Sequence, residues 1–284
     1  MSVPLGDLLR ETARVLQDAL GLSIEEAYLE ARLLAGHAIS RNAAQLVAAS
    51  EEVLNDEDQE RIRALVERRR GGEPVAYIIG RREFFGLELK VTPAVLIPRP
   101  ETELLVEQAL ARLPAGQPLR VLDLGTGSGA VAIAIAHERP DARVTATDRW
   151  EAALCVAREN AARLGARVRF VPSDWYAGLA GEAFDLIVSN PPYVAEGDPH
   201  LHQGDLRFEP REALVGGSDG LECLRRIVAG APSYLRQGGW LLLEHGFDQG
   251  AECRFLLEET GFVEVFTARD LAGLERVSGG RLER

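Results

Sequence analysis

Apolar residues recur at helical spacing through the first part of the chain. Between residues 5 and 20, leucines stand three, four or seven positions apart, as on the buried face of an amphipathic helix. Ser23 followed by Glu26 is the pattern of a capping box and predicts the start of a second helix. Further helices are expected near 42–49 and over 56–70. The whole pattern predicts a small helical bundle, and no residue set within it indicates catalysis.

The last of these helices begins with acidic residues and ends with three arginines, an arrangement that the helix dipole favours. We expect Arg68–Arg70 to form a solvated last turn, and contact with a partner's surface is the alternative. Gly71–Pro74 ends the helix. The pattern over residues 83–91 is centred on Gly86 and predicts a β-hairpin.

Beyond Arg120 the pattern changes again. Short apolar runs typical of buried strands alternate with helical patterns. Strands are expected at 121–124, 143–147, 168–171, 184–189, 240–244, 262–266 and 274–278. Helices are expected at 130–137, 151–164, 221–235 and 249–260. This alternation predicts an α/β protein with a doubly wound, Rossmann-like sheet.

These patterns divide the chain into three segments. We expect a helical domain over residues 1–82, a hairpin linker over 83–98 and an α/β domain over 99–284. A chain of 284 residues is long enough for one small and one larger domain.

Charge and cysteine content limit the classes of protein to which this chain can belong. The chain has 44 acidic and 32 basic residues, a formal net charge of −12, which argues against a broad basic surface that follows nucleic-acid phosphates. The three cysteines form no CxxC pair and no disulfide framework, which fits a reducing cytosol. Met1–Arg10 lacks the apolar region of a signal peptide, and the longest apolar run, Ala130–Ala136, is far too short to span a bilayer. We therefore predict a cytoplasmic protein without a membrane partner.

A glycine-rich segment, DLGTGSG, lies between the first predicted strand of the sheet and the helix that follows. Glycines there let the backbone turn sharply and approach a ligand closely. The spacing is GxGxG, which favours a nucleoside cofactor, with a plain tight turn as the alternative. The candidate cofactor-binding residues of this loop are Asp123, Gly125, Thr126, Gly127, Ser128 and Gly129.

Two residues after the next strands extend this candidate site. Asp148 stands at the end of the second strand of the sheet, where a carboxylate can accept hydrogen bonds from ribose hydroxyls. Trp175 follows the third strand and is either a packing surface for an adenine ring or an ordinary half-buried aromatic residue.

A second motif, Asn190-Pro191-Pro192-Tyr193, follows the fourth strand at the sheet edge where α/β proteins bind ligands. The prolines fix the backbone, so that the Asn190 side-chain oxygen and the Pro191 carbonyl can face one point. Two such acceptors match the two N–H donors of a planar amino or amide group. Tyr193 can stack on that group or enclose it, and a rigid turn without a ligand is the alternative.

The histidines and serines of the sequence indicate neither a metal site nor a serine nucleophile. His200 and His202 stand two residues apart, but no third ligand follows at a familiar spacing, so we predict no metal site. No Ser-His-Asp arrangement built on a nucleophile elbow is recognisable either.

The glycine loop, Asp148 and Asn190–Tyr193 together resemble the class I S-adenosylmethionine-dependent methyltransferases that act on nitrogen. Ile97–Glu103, with the sequence IPRPETE, narrows the resemblance to the HemK/PrmC type, the peptide chain release factor glutamine methyltransferases. The chain departs from the pattern at Arg149–Trp150, where a small polar helix cap is expected. Three further segments fit the same family: Phe208–Leu214, Gly216–Leu221 and Glu244–Gly246.

The resemblance implies methyl transfer from S-adenosylmethionine to the side-chain amide nitrogen of the glutamine in the Gly-Gly-Gln motif of release factors, with S-adenosylhomocysteine as product. It implies that Asn190, Pro191 and Tyr193 are catalytic, that Asn190–Tyr193 bind the substrate, and that Asn190 also contacts the cofactor. The helical domain would recognise the protein substrate, and no nucleic-acid substrate is expected. The alternatives are glutamine methylation of a ribosomal protein, adenine amino-methylation of DNA or RNA, and a cofactor-binding protein that docks on a partner without turnover.

Overall fold

The computed structural model describes residues 3–283 of the chain. The chain divides into two compact units. Among the described residues, the helical unit comprises 3–81 together with His202–Phe208, and the catalytic unit comprises Arg82–Leu201 and 209–283.

The helical unit contains the predicted bundle. Leu5 and Leu16 of the first helix, Leu34 of the second and Ile62 are completely buried and lie in its core. The capping box is present, because the Ser23 hydroxyl accepts from the Glu26 N–H and the Glu26 carboxylate accepts from the Ser23 N–H. A fifth, five-residue helix after Pro74 was not expected, because so short a segment shows no period. The helices are α1 (Leu5–Leu20), α2 (Ile24–Ala38), α3 (Ala43–Ala48), α4 (Asp56–Arg70) and α5 (Val75–Ile79).

The arginines at the end of α4 are not all solvated, contrary to expectation. Arg69 is only 4% exposed and forms ion pairs with Glu30 at 2.8 Å and with Asp205 at 2.8 Å. Asp205 belongs to the segment His202–Phe208, which is therefore part of the helical unit although the sequence assigns it to the α/β half. The pattern of α4 alone could not reveal a partner that is so distant in sequence.

The predicted hairpin is confirmed. Strands β1 (Arg81–Phe84) and β2 (Leu87–Lys90) pair across Phe85 and Gly86, both of which have positive φ. Two such residues are typical of a tight type I′ hairpin turn. A 3₁₀ turn over Pro100–Thr102, with proline in its first position, then leads into α6 (Glu103–Leu110).

The catalytic unit contains a seven-stranded sheet and further helices. The strands are β3 (Arg120–Leu124), β4 (Arg143–Asp148), β5 (Val168–Pro172), β6 (Phe184–Ser189), β7 (Leu235–Glu244), β8 (Phe262–Arg269) and β9 (Glu275–Leu282). The helices are α7 (Ala130–Glu138), α8 (Glu151–Leu164), α9 (Glu222–Gly230) and α10 (Gly250–Glu259).

The strand order in the sheet is β5-β4-β3-β6-β7-β9-β8. Strand β9 alone is antiparallel to its neighbours β7 and β8, and the others are parallel to one another. Helices cover both faces: Val121 packs in a core with α7, and Leu122 packs in a second core with α9 and α10. The fold class is therefore confirmed.

One strand begins earlier than the hydrophobic pattern predicts. Helix α9 ends at Gly230, and β7 starts at Leu235 rather than at Trp240. The polar residues Arg236–Gly239 conceal this first half of the strand, and the register with β6 shifts between Phe184 and Leu186. Gly238 has a φ of 75°, which only glycine adopts at low cost.

Within residues 3–283 there is no helix with both the length and the apolar character needed to cross a membrane.

Candidate active site

The two sequence motifs meet at the point where the strand order reverses. Strands β4 and β6 flank β3 on either side, so the loops after these strands lie at the same edge of the sheet. A cavity of about 340 Å³ opens there. The predicted residues that line it are Asp123, Gly125, Thr126, Gly127, Ser128, Asp148, Trp175, Asn190 and Pro192. Gly129, Pro191 and Tyr193 are not among the lining residues.

The glycine loop is bent by three residues with left-handed backbone. Gly125, Gly127 and Gly129 have φ values of 73°, 55° and 86°. The backbone N–H groups of Gly125 and Thr126 both donate to the carbonyl oxygen of Thr147, at 2.9 and 2.8 Å. A side chain at the three glycines would strain this backbone, so the loop depends on their conformational freedom.

Gly129 serves helix packing rather than the cavity wall. A Cβ atom placed there would lie 2.8 Å from Ile133 Cδ1 and 3.1 Å from Ala157 Cβ. These atoms belong to α7 and α8, so the absence of a side chain lets the two helices approach each other behind the loop.

Asp123 is a buried carboxyl at the end of β3. The Thr126 hydroxyl donates to its Oδ2 at 2.7 Å, and the residue is 2% exposed. Burial raises the pKa of Asp123 to about 7, although the hydrogen bond from Thr126 opposes the shift. This carboxyl therefore fixes the loop as well as lining the cavity.

Asp148 holds the glycine loop from the neighbouring strand. Its Oδ2 accepts from the Gly127 N–H at 3.0 Å, and its Oδ1 accepts from the Trp150 N–H at 2.9 Å. Burial raises the pKa of Asp148, while these backbone donors and the nearby Arg149 lower it. Each carboxylate oxygen can accept a further hydrogen bond, so Asp148 retains capacity for a hydroxyl donor in the cavity.

Trp175 presents an aromatic ring to the same cavity. Its backbone is left-handed, with a φ of 51°, and its ring lies 3.5 Å from the position that a Cβ on Gly125 would take. The Ser173 hydroxyl donates to the Trp175 carbonyl at 2.7 Å and accepts from the Gly178 N–H at 2.8 Å. These bonds hold the turn that directs the ring toward the glycine loop.

Asn190 lines the cavity from the other side. Its Nδ2 donates to the Thr102 hydroxyl oxygen at 3.1 Å. Among residues 3–283, its Oδ1 accepts no hydrogen bond. The side chain is partly buried, so an acceptor oxygen remains for a ligand at the end of β6.

Tyr193 is not among the residues that line the cavity, where we expected it. Its hydroxyl donates to Glu244 Oε1 over a long 3.4 Å, and burial raises the pKa of the phenol. Glu244 is completely buried at the end of β7, and burial raises its pKa to about 7. The structure therefore connects Tyr193 to a carboxyl outside the cavity rather than placing it in the wall.

Gln249 holds three loops together, and the sequence analysis did not identify it. Its Nε2 donates to the carbonyls of Tyr193 at 3.0 Å and Gly220 at 3.4 Å, and its Oε1 accepts from the Gly246 N–H at 2.9 Å. The only indication of Gln249 in the sequence was its position shortly after Glu244–Gly246, a segment that fits the family pattern.

Two other family segments meet at the cavity. Glu209 is 6% exposed and accepts from the Ile97 N–H at 3.1 Å and from the Arg99 guanidinium. Arg99 itself lines the cavity. The Ile97–Glu103 segment is thus tied to the chain around Glu209, which gives a structural reason for both patterns.

His200 contacts Asp198 at 2.7 Å on the surface. No group of three His, Cys, Asp or Glu residues in the described part of the chain could hold a metal ion.

Comparison with known proteins first defines the class. Residues 100–205 match the methyltransferase small domain, and residues 7–80 match the PrmC N-terminal domain. The solved 16S rRNA N2 G1207 methyltransferase RsmC of T. thermophilus, in complex with AdoMet and guanosine, is 25% identical with a TM-score of 0.54. The likeness covers 72% of this chain and 50% of that one. The fold is that of a methyltransferase, a class for which S-adenosylmethionine is the methyl donor.

Proteins with similar sequences then identify the particular family. The release factor glutamine methyltransferase of Burkholderia pseudomallei is 55% identical over 261 residues, which cover 89% of this chain and 92% of that protein. The release factor glutamine methyltransferase of Escherichia coli is 47% identical over 274 residues, or 96% of this chain and 97% of that one. The chain belongs to the family of release factor glutamine methyltransferases.

Proposed function

We propose that this protein transfers a methyl group from S-adenosylmethionine to the side-chain amide nitrogen of the glutamine in the Gly-Gly-Gln motif of a peptide chain release factor. Membership in the family supports the reaction and the substrate. The observation that carries the mechanism is Asn190, whose Nδ2 is bound to Thr102 while its Oδ1 is left for a ligand at the cavity.

The cofactor fits the half of the cavity formed by β3 and β4. The three left-handed glycines bring backbone close to a ligand, and Asp148 has acceptor capacity for ribose hydroxyls. Trp175 offers a flat apolar surface that an adenine ring can cover. Thr126 and Ser128 complete this wall. When bound, S-adenosylmethionine supplies a methyl group on a positively charged sulfur, which makes that carbon a strong electrophile.

The residues after β6 would prepare the nucleophile. The lone pair of an amide nitrogen is delocalised into its carbonyl group and attacks poorly. The Asn190 Oδ1 and the Pro191 carbonyl would accept the two amide hydrogens, which raises electron density on nitrogen and aims it at the methyl carbon. Orientation and fixed dipoles then supply most of the acceleration without a strong base. On transfer, the amide nitrogen would gain the methyl group and release one proton to solvent, while the electron pair of the broken carbon–sulfur bond would stay on sulfur and give S-adenosylhomocysteine.

Replacing Asn190 tests this assignment most directly. Asn190→Ala removes one of two preorganised acceptors, and such a loss costs ~10²–10³ in turnover. Cofactor affinity should change much less, because the glycine loop and Asp148 would carry it. Asn190→Asp keeps an acceptor of similar size and should retain more activity than alanine. Single-turnover methyl transfer to a purified release factor measures the effect, and near-normal transfer by Asn190→Ala would refute the mechanism.

The same assay distinguishes substrates. With labelled S-adenosylmethionine, label should appear on a release factor and be lost when its Gly-Gly-Gln glutamine is replaced by alanine. Ribosomal proteins and DNA serve as the other acceptors. Preferential labelling of either would replace the release factor as substrate. Release factors act in translation, so we assign the cytoplasm as the compartment.

We assign substrate recognition to the helical unit. Two leucines of α2, Leu29 and Leu33, are 58% and 43% exposed four residues apart, and thus form an apolar surface on that helix. Replacing both by glutamate should raise KM for a whole release factor several-fold. A short Gly-Gly-Gln peptide should be methylated as before. The matched control places glutamate at the exposed Leu271 and Leu274 of the catalytic unit, and equal effects of the two pairs would contradict the assignment.

A further inference from the structure

Backbone groups hold the Gln249 side chain in one orientation. The Gly246 N–H can only donate, so the atom that meets it at 2.9 Å must be the side-chain oxygen. The carbonyl oxygens of Tyr193 and Gly220 can only accept, so the atom that meets them at 3.0 and 3.4 Å must be the side-chain nitrogen. A flipped amide would lose all three hydrogen bonds. The contacts therefore determine which end of Gln249 faces the loop after β6.

Two glycines before α9 lie against the same loop. A Cβ atom on Gly216 would stand 2.4 Å from the Pro192 carbonyl oxygen, and one on Gly220 would stand 2.4 Å from the Tyr193 carbonyl oxygen. Both distances are too short for any side chain, so the two glycines meet the loop through backbone alone. The Gln249 nitrogen, which donates to the carbonyls of Tyr193 and Gly220, joins the two segments where neither can use a side chain of its own.

The peptide group that carries the Pro191 carbonyl has no N–H, because its nitrogen is that of the following proline. It therefore cannot fix its own direction by donating a hydrogen bond. Downstream, the chain is anchored at Tyr193, whose carbonyl Gln249 holds, and at Val194, whose N–H donates to the Leu214 carbonyl at 2.9 Å. The conformation of the loop depends on where these anchors hold it.

We propose that Gln249 is a positioning residue for methyl transfer, because its hold on the Tyr193 carbonyl keeps the acceptors of the loop after β6 directed at the substrate amide. This inference rests on the roles proposed above for Asn190 and Pro191. A misplacement of reacting groups by about 1 Å costs on the order of 10²-fold in rate, so a contact that never touches the substrate can control turnover. The inference also gives a function to Gly216–Leu221, a family segment that supplies no reacting group.

Gln249→Glu tests the proposal, because glutamate keeps the size of glutamine and can still accept from Gly246. Its second oxygen would face two carbonyl oxygens with no proton between them, so the loop should move away from it. We expect turnover at saturating cofactor to fall roughly 10- to 100-fold. Affinity for S-adenosylmethionine should stay within about threefold, because the glycine loop and Asp148 would carry it. An equal loss of that affinity would overturn the proposal.

Gln249→Met separates hydrogen-bond direction from packing. Methionine has a similar length but neither donates nor accepts strongly, so it removes the hold on the loop without repelling it. We expect a fall in turnover of roughly 5-fold, less than in the glutamate variant. If packing alone mattered, glutamate would be the milder change because it matches glutamine in shape, and that order would overturn the proposal. Where the glutamate variant does not fold, the methionine variant is compared with the wild type alone, and normal turnover would overturn the proposal.

Single-turnover methyl transfer to a purified release factor measures each variant, and urea unfolding confirms that the enzyme is folded in the assay. The matched control is Gln237→Glu, which makes the same change at an exposed position in β7 and should leave turnover unchanged. Near-normal turnover of both Gln249 variants alongside a strongly impaired Asn190→Ala would overturn the positioning role alone. Near-normal turnover of Asn190→Ala would refute the proposed mechanism and this inference with it.

Discussion

The cofactor half of the cavity and the acceptor half are held together differently. On the cofactor side, Thr126 donates to Asp123 three residues away, and Trp150 donates to Asp148 two residues away. On the acceptor side, Asn190 reaches Thr102 across 88 residues of sequence. Tyr193 reaches Glu244 across 51 residues, and Gln249 reaches Tyr193 across 56.

The difference follows from what each half must do. The glycine loop is a turn between a strand and a helix, and its own backbone nearly completes it once Asp148 accepts from Gly127. The loop after β6 contains two prolines, which fix φ but donate no N–H bonds of their own. Its orientation therefore depends on side chains that only the completed sheet brings near. The acceptor half is thus the more sensitive of the two to changes elsewhere in the fold.

Each half also contains a buried carboxyl group whose pKa is raised to about 7, Asp123 on the cofactor side and Glu244 on the acceptor side. The pH dependence of stability tests whether these two groups are equivalent. The pKa of Glu244 rises from 4.5 to about 7, so the folded state holds this proton more tightly than the unfolded state. The contribution is fully present below about pH 4.5 and is lost as pH rises to about 7. At 1.36 kcal/mol per pH unit this loss amounts to about 3 kcal/mol.

Glu244→Gln removes that titration, so the free energy of unfolding of the variant relative to the wild type should rise by about 3 kcal/mol between pH 4.5 and pH 8. Urea unfolding at the two pH values measures it. Asp123→Asn is the counterpart on the cofactor side, because burial raises the pKa of Asp123 from 3.8 to about 7. Glu57→Gln, at a surface position 81% exposed, should leave the pH dependence unchanged. A wild-type pH dependence in Glu244→Gln would show that this carboxyl is ionised in the folded protein without penalty.

The sequence predicted the cofactor half better than the acceptor half, because the contacts that hold the cofactor half together are closer along the chain. The sequence predicted that Asp148 lies beside the glycine loop, because it ends the next strand and successive strands of a βαβ unit are regularly spaced. The Asn190–Tyr193 motif was found as well, but its partners were not. Thr102 lies in the family segment Ile97–Glu103, and nothing in its local sequence indicates that its hydroxyl meets Asn190.

The same limit applies to the fold. The approximate positions of the strands and helices after Arg120 followed from the alternation of patterns. The incorporation of His202–Phe208 into the helical unit did not, because it depends on Asp205 meeting Arg69 across 136 residues. The early start of β7 was hidden because the polar residues Arg236–Gly239 interrupt its apolar pattern. Tertiary contacts, rather than local propensity, decided each of these features.

Asp148→Ala contrasts with Asn190→Ala and completes the comparison. Loss of a buried charged acceptor costs ~1.5–3 kcal/mol, so affinity for S-adenosylmethionine should fall by at least about 10-fold. The loss combines the missing contact to ribose with a looser glycine loop, since the Gly127 N–H also loses its acceptor. Turnover at saturating cofactor should fall far less than in Asn190→Ala, because the loop after β6 keeps its own partners.

Calorimetric titration with S-adenosylmethionine measures the affinity of the Asp148→Ala enzyme. The control is Asp141→Ala, which removes an exposed carboxylate before β4. Unchanged affinity would remove Asp148 from the cofactor site. A loss of turnover as large as that of Asn190→Ala would show that the two halves do not act separately.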